Sequence, residues 1–172
     1  MLRGDPLANP EPLIRRVYSF VSYRLGDGPD AEDVTNDTFE RALRYRDSYD
    51  RRKGEPITWL LGIARRCIDD TLSNRVPFAE PPELEAPGHE EDSLRKLELN
   101  RALAALSDRD QELLALRYGG DLSARQIAEL LEQKTNAVEV ALHRALERLR
   151  RQLERGEAPG VDEDPVPKGV RI

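Results

Sequence analysis

Between residues 10 and 153 the apolar side chains fall into stripes at three- and four-residue steps, a spacing that favours helices. Leu13, Ile14, Val17, Tyr18, Val21 and Leu25 form the first stripe. It opens after Asn9 and Pro10, a capping residue followed by a proline in the first turn, where a missing N–H costs nothing. The break Gly26, Asp27, Gly28, Pro29 ends it. Asp30 is placed to cap a second helix, with acidic side chains in the first turn and an inner face of Val34, Thr38, Phe39, Ala42 and Leu43. A polar run over 47–55 follows. Pro56 then opens a third helix with Ile57, Leu60, Leu61, Ala64, Ile68 and Leu72 inward. Three helices on short connections predict a small bundle over residues 10–75.

Residues 76–92 break the pattern with prolines, acids and Gly88, and hold too few large apolar groups to offset the entropy of ordering. They are expected to be a flexible linker. Beyond it Ser93 is placed to cap a fourth helix carrying Leu94, Leu97, Ala102, Leu103 and Leu106. Ser107 and Asp110 have the spacing of a capping box, opening a helix with Leu113, Leu114 and Leu116 that stops at Gly119 and Gly120. Ser123 and Gln126 form a second such box before Ile127, Leu130 and Leu131. Thr135 then caps a long last helix, with Val138, Leu142, Ala145, Leu149 and Leu153 inward until Gly156. A short helix, a tight turn and a longer helix ending in basic residues match a helix-turn-helix, and the small Ala128 lets the pair cross closely. Residues 93–155 are thus a second helical unit, and 156–172 are expected to be a disordered tail. The whole reads as all-α, two small helical domains joined by a flexible acidic linker.

Composition narrows the function. With 5% aromatic residues the core must be aliphatic, and with 35% charged residues no apolar run approaches membrane-spanning length. No basic stretch followed by an apolar run stands at the start, so no signal peptide is expected and the compartment reads as cytoplasmic. A lone Cys67 in a helical stripe is a small core residue before it is a thiol sensor. His89 and His143 share no metal-ligand spacing, so no cofactor or metal is expected. The net charge of −6 sits in one place: residues 11–75 carry 12 basic and 12 acidic groups, residues 95–154 carry 11 and 10, and residues 76–94 carry none and 6. Each helical unit is close to neutral, so any nucleic acid must be met by local patches. A Gly-rich phosphate loop, a Cys/His metal set and a signature nucleophile–base pair are all missing, so the chain reads as a binding protein, not an enzyme.

Three ordered motifs sharpen this. Asp30, Ala31, Glu32, Asp33, Asn36, Asp37, Phe39, Arg41 and Ala42 fit D-A-E-D-x-x-Q-E-x-F-x-R-A. Trp59, Leu60, Ile63, Ala64 and Arg65 fit W-L-x-x-I-A-R. Leu122, Ser123, Ile127 and Ala128, then Val138, Leu142, His143, Arg144 and Ala145, fit L-S-x-x-E-I-A followed by G-T-V-x-x-x-L-H-R-A. In order and spacing the set, covering about residues 10–155, resembles the extracytoplasmic-function group of sigma-70 RNA polymerase sigma factors, regions 2 and 4. The resemblance implies that the first unit binds core RNA polymerase and opens the −10 promoter element, that the linker threads toward the cleft, and that the second unit reads the −35 element. A dedicated anti-sigma factor is a further candidate partner, and no membrane insertion is implied. The chain departs from the pattern at Glu132, where a turn glycine is usual, and at Asn136-Ala137, which replaces Gly-Thr; Asn136 tolerates the positive φ such a turn needs. Glu139, Ala141 and Leu146 stand where basic residues are common, which removes phosphate contacts.

On that resemblance Asp33, Asn36, Asp37, Glu40, Arg41 and Arg44 bind polymerase, and the three-four spacing of the first four makes one acceptor-rich strip. Without it, the strip is an ordinary solvated face. Arg65, Arg66, Asp69, Ser73, Asn74 and Arg75 lie on the polar side and end of the third helix. Guanidiniums there can pin separated strands, and amides or carboxylates can meet a flipped base edge. Trp59 reads as core packing ahead of base stacking, and the basic loop 50–54 as either a solubilising turn or a backbone contact. Lys134, Thr135, Asn136, Glu139, Val140, His143 and Arg144 cluster toward the start of the last helix, away from its apolar stripe. Asn can pair adenine, Glu can accept from cytosine, Val can pack a thymine methyl and Arg can pair guanine or phosphate. The linker acids are either a solvated tether or a mimic of the phosphate backbone. The expected function is a transcription initiation factor that brings core polymerase to specific promoters. Its rival is a helical interaction protein on the same frame that no longer binds promoter DNA productively.

Overall fold

The computed structural model describes residues 4–75 and 90–157. Seven α-helices occur among them: α1 Pro10–Leu25, α2 Pro29–Arg44, α3 Pro56–Asn74, α4 Glu90–Ala104, α5 Asp108–Leu114, α6 Ala124–Leu131 and α7 Thr135–Glu157. Short 3-10 turns at Arg46–Ser48 and Arg51–Lys53 bridge α2 to α3, and a π turn at Ala115–Gly119 extends α5. Gly26, at φ 80, ends α1 by returning its N–H to the Ser22 carbonyl at 2.8 Å, a conformation side-chain-bearing residues rarely adopt.

The first bundle buries Val17, Phe20 and Val21 of α1 against Ala31, Val34 and Ala42 of α2 and against Ile57, Leu60, Leu61, Ala64 and Ile68 of α3. Thr35 and Thr38, also buried, satisfy their hydroxyls by donating to the Ala31 and Val34 carbonyls, both at 2.7 Å. Cys67 lies inside this core, and burial pushes its thiol above the ordinary range, which suits a packing residue. In the second unit Ser123 and Gln126 close a reciprocal capping box. Ser107 Oγ accepts from the Asp110 N–H at 3.2 Å, but the Asp110 carboxylate turns instead to Arg148 of α7.

The two units share one core. Leu113, Ala115, Leu116, Leu122, Ile127, Ala128, Val138 and Leu142 join the first bundle's apolar cluster, and Leu103, Leu106, Leu114 and Ala145 form a smaller one behind α5. The contact is closest where the π turn meets α1: a Cβ on Gly119 would lie 2.8 Å from Phe20 Cα and 2.9 Å from the Ser19 carbonyl oxygen. Polar groups lace the same seam. Arg16 donates to the Gly120 and Asp121 carbonyls at 2.9 and 3.0 Å, and Arg24 to the Asp108 carbonyl at 3.0 Å. Lys96 pairs with Asp27.

Several expectations change in detail. α2 is capped at Gly28 with Pro29 in its first position, so Asp30 is a first-turn residue. α4 starts at Glu90, which places Ser93 inside the helix and makes residues 90–92 helical. α7 continues through Gly156 to Glu157. The remainder of the expected linker, 76–89, and of the expected tail, 158–172, lies outside the described residues, as do Glu80, Glu83 and Glu85, three of the six acids read as a tether or phosphate mimic. Ile14, Leu43, Leu94 and Leu97 stand 45%, 57%, 59% and 45% exposed although they fall in apolar stripes. Periodicity names the face of a helix, and only docking decides how far along that face the neighbour reaches.

Candidate functional site

The α2 strip stands open. Asp33, Asn36, Glu40 and Arg44 are exposed and Asp37 is half-buried. Arg41 differs from the rest: its Nη2 lies 3.0 Å from Asp37 on its own helix and 3.0 Å from Asp70 on α3. It ties the strip to the bundle and is not a free cation. Arg44 and Glu40 pair at 3.0 Å on the surface, a contact weak enough for a partner to exchange.

Helix α3 splits the expected −10 set. Arg66, Asp69, Ser73 and Asn74 are exposed, whereas Arg75 donates to Asp30 at 2.7 Å and staples the end of α3 to the start of α2. Arg65 turns to the other unit, where its Nε donates to the Glu112 carboxylate of α5 in a short, half-covered ion pair. One residue along the helix, and about 100° around it, Arg66 lines an open cavity of about 580 Å³ with Arg41, Arg44, Tyr45, Ser48, Trp59 and Ile63. Trp59 is half-buried and its ring meets Tyr49 at 5.4 Å between centroids. Tyr49 in turn donates to the Gly54 carbonyl at 3.0 Å and so pins the loop between α2 and α3. An aromatic wall with a guanidinium rim suits a base and its phosphate. Tyr45, Ser48, Tyr49 and Ile63 were not among the expected residues. The signal available in sequence was the alternation of Tyr45, Tyr49 and Trp59 with a basic loop.

That loop is less basic than its composition. Asp50 accepts from the Arg52 backbone at 3.0 Å and from its guanidinium at 3.1 Å, and these hold the Asp50 carboxyl below its usual range. Arg51 and Lys53 remain exposed without such a partner in the loop.

Helix α7 brings the expected −35 set together. Lys134, Asn136, Glu139, Val140, His143 and Arg144 are exposed and Thr135 is half-buried, while Val138, Leu142 and Ala145 face the core. The turn before it is a Schellman motif: the Gln133 N–H reaches the Ala128 carbonyl at 2.9 Å and the Glu132 N–H the Glu129 carbonyl at 3.4 Å. Glu132 takes the left-handed conformation, φ 54, that was expected of Asn136; Asn136 is helical. His143 approaches Glu147 at 3.5 Å one turn on. The helix is held at its middle by Arg148, whose Nη1 donates to both Asp110 oxygens at 3.0 and 2.8 Å.

Comparison with known proteins agrees with this geometry. The Sigma-70 region 2 profile matches residues 11–76 and the Sigma-70, region 4 profile residues 96–149. The chain is 29% identical to the ECF RNA polymerase sigma factor BldN of Streptomyces coelicolor, over 80% of this chain and 56% of BldN, so it spans little more than half of that relative. It is 32% identical to the RNA polymerase sigma factor SigV of Bacillus subtilis, over 83% of this chain and 85% of SigV. The fold resembles that of the sigma factor RpoE solved with the anti-sigma factor NepR from Bartonella quintana, at TM-score 0.60 and 18% identity, over 83% and 92% of the two chains. No helix among the described residues is long and apolar enough to cross a membrane. With both profiles matched in order and covering most of its length, the chain belongs to the extracytoplasmic-function group of the sigma-70 family, the transcription initiation factors that direct RNA polymerase to promoters.

Proposed function

We propose that residues 10–75 dock on core polymerase and engage the −10 element, and that residues 93–155 read the −35 element. Asp33, Asn36, Asp37 and Glu40 form the acidic docking strip, with Arg41 holding it in place. Arg66, Asp69, Ser73 and Asn74 meet the opened strand beside the cavity walled by Trp59 and Tyr45, which takes an unstacked base. Lys134, Thr135, Asn136, Glu139, Val140, His143 and Arg144 enter the major groove. All these roles are binding roles, in the cytoplasm where promoter and polymerase are. A solved neighbour is bound to an anti-sigma factor, and a protein of that class is a third partner.

The observation that carries this reading is the open face of α7, where side chains suited to base edges share one side while its apolar stripe is buried. The test is transcription in vitro with core polymerase on genomic fragments, with start sites mapped. Transcripts from a discrete set of promoters sharing −35 and −10 sequences are expected, and Asn136→Ala with Arg144→Ala should abolish them. The second reading, a frame that no longer binds promoter DNA, rests on Glu139, Ala141 and Leu146. Core binding without any promoter-specific transcript would favour it.

A further inference from the structure

An open cleft of about 920 Å³ lies away from the surfaces assigned so far, and its size is within the roughly 300–1,000 Å³ of small-molecule sites. Neither the α2 strip, the cavity beside Arg66 nor the α7 face contributes a side chain to it. Its walls are the turn before α1, the first turns of α1, the loop over 49–55, the start of α3 and the outer side of α6. Five basic and three acidic side chains line it, in a chain whose net charge is −6. The cleft is a local excess of cation in an acidic protein.

Several of these cations keep their charge available. Arg52 is held by Asp50 at 3.1 Å, and Arg125 by Glu129 at 3.1 Å in a surface pair weak enough to exchange. Arg16, however, donates to the Gly120 and Asp121 carbonyls, which are dipoles and leave its charge whole. Arg51 and Lys53 are exposed on the loop and make no ion pair among the described residues. Asp5 and Glu55 oppose these charges but turn to other donors, the Leu7 N–H at 3.0 Å and Gln126 at 3.3 Å. Two helices add to the positive side. α1 and α3, 16 and 19 residues long, both begin at the cleft, and neither is capped by a side chain. Their first-turn N–H groups and the positive ends of their dipoles favour an anion.

Tyr49 supplies a flat wall. Its hydroxyl donates to the Gly54 carbonyl at 3.0 Å and its ring meets Trp59 at 5.4 Å between centroids, so it is fixed before any ligand arrives. Gly54 completes that turn at φ 150 and ψ 173, a conformation left almost entirely to glycine. Pro12, Leu13 and Pro56 continue the apolar lining. A lone phosphate would leave this wall unused, and a neutral ring would leave the cations unused. We propose that the cleft binds a nucleoside polyphosphate, its base against Tyr49 and its phosphates among Arg16, Arg51, Lys53 and Arg125. A compact polyanion suits it better than a nucleic-acid strand, because the cations ring one bounded cleft and do not follow a long groove. The site owes nothing to the promoter-reading or polymerase-binding surfaces and can be measured without either partner.

The experiment uses the full chain. Its probes are the four nucleoside triphosphates, the monophosphate and free nucleoside of the tightest of them, and inorganic triphosphate. Binding is read by titration calorimetry and by the emission of Trp59, the one tryptophan of the chain, which packs against Tyr49. The tightest triphosphate should bind at least about tenfold better than its monophosphate and than inorganic triphosphate, and the free nucleoside more weakly still. Arg51→Ala with Lys53→Ala should cut that affinity at least about tenfold with the helical circular dichroism signal kept. Arg15→Ala, an exposed cation of α1 outside the cleft, should change it less than about twofold. Tyr49→Leu should bring the nucleotide down to the affinity of inorganic triphosphate. If either cleft variant loses helical signal, Arg125→Ala on the opposite wall decides, with an expected loss of roughly fivefold. Absence of binding by all four triphosphates up to about 1 mM overturns the site. Equal affinity for triphosphate and monophosphate, or for nucleotide and inorganic triphosphate, overturns it too, as does unchanged affinity in Arg51→Ala with Lys53→Ala. A single-stranded oligonucleotide that displaces the nucleotide at lower concentration also overturns it, and makes the cleft a track for nucleic acid.

Discussion

Removing the carboxylate of Asp110 tests how α7, the proposed DNA-reading helix, is held. Asp110 sits in the first turn of α5 with its side chain only 7% exposed, and both oxygens accept from Arg148 of α7 at 3.0 and 2.8 Å. The guanidinium is 51% exposed, so the two partners are not equivalent. In Asp110→Ala the Arg148 head can turn to water, and the loss is that of charged hydrogen bonds plus a first-turn acid, about 2 kcal/mol. In Arg148→Ala the covered carboxylate is left without its cation, a larger loss of about 3 kcal/mol, at the low end for a broken buried pair because the site is only half-enclosed. The double variant should lose less than the sum, with a coupling of about 1.5 kcal/mol. Urea unfolding followed by circular dichroism gives these values, and the Asp110→Ala melting midpoint should fall by about 5–8 °C for a chain of this size. A coupling below about 0.5 kcal/mol, within the scatter of independent sites, would refute the claim that this pair fixes α7.

Three further outcomes follow from the same geometry. Reversing the exposed Asp33 and Glu40 to Arg should weaken core polymerase binding by about 2–3 kcal/mol, or roughly a hundredfold, measured by fluorescence anisotropy at moderate salt with the helical signal unchanged. Glu132→Gly should raise the melting midpoint by about 2–4 °C, because it removes roughly 1 kcal/mol of left-handed strain at φ 54; an unchanged or lower midpoint in calorimetry would mean the side chain makes a compensating contact. Glu139→Arg should tighten binding of the −35 element and steepen the logarithmic salt dependence by about 0.9, read by salt titration, and no change would mean this face does not meet DNA.

The existence of every helix was legible because stripes and breakers agree on it, and the α7 face was legible because the side opposite a strong stripe must be solvated. What escaped the sequence depends on docking. Leu94 and Leu97 belong to a stripe that no neighbour among the described residues covers so far along α4, and Gly119 and Gly120 read as a helix stop although they also sit where the two units approach closely. Arg65 and Arg66 look alike in sequence, yet the turn of about 100° between them gives them different neighbours, and among the described residues only Arg65 is held in an ion pair. Glu132 adopts the backbone conformation a glycine usually supplies, because the Schellman hydrogen bonds at Gln133 and Glu132 outweigh the strain of one residue. The cavity beside Arg66 needs Tyr45 and Trp59 from separate elements, and no local pattern reports that meeting.

On the proposed assignment, the balance of charge at the two DNA-facing surfaces gives each of them little hold on DNA by itself. Arg66 stands beside the exposed Asp69, and Lys134 and Arg144 flank Glu139, so neither surface has much excess cation to spend on phosphates. Each unit alone is therefore expected to hold DNA weakly and to discriminate mainly through base edges. Two weak readers become a strong one only when they are fixed at the spacing of the two elements. Tethering at matched distance can raise affinity by about 10²–10⁴ without any new contact, whereas a geometry that forbids simultaneous engagement forfeits that gain entirely. Polymerase, by holding the two proposed readers at that spacing, would supply the gain in avidity. Weak individual contacts are thus part of the specificity: a tighter α7 would let the free chain occupy −35-like sites without polymerase, and promoter choice would no longer require both elements.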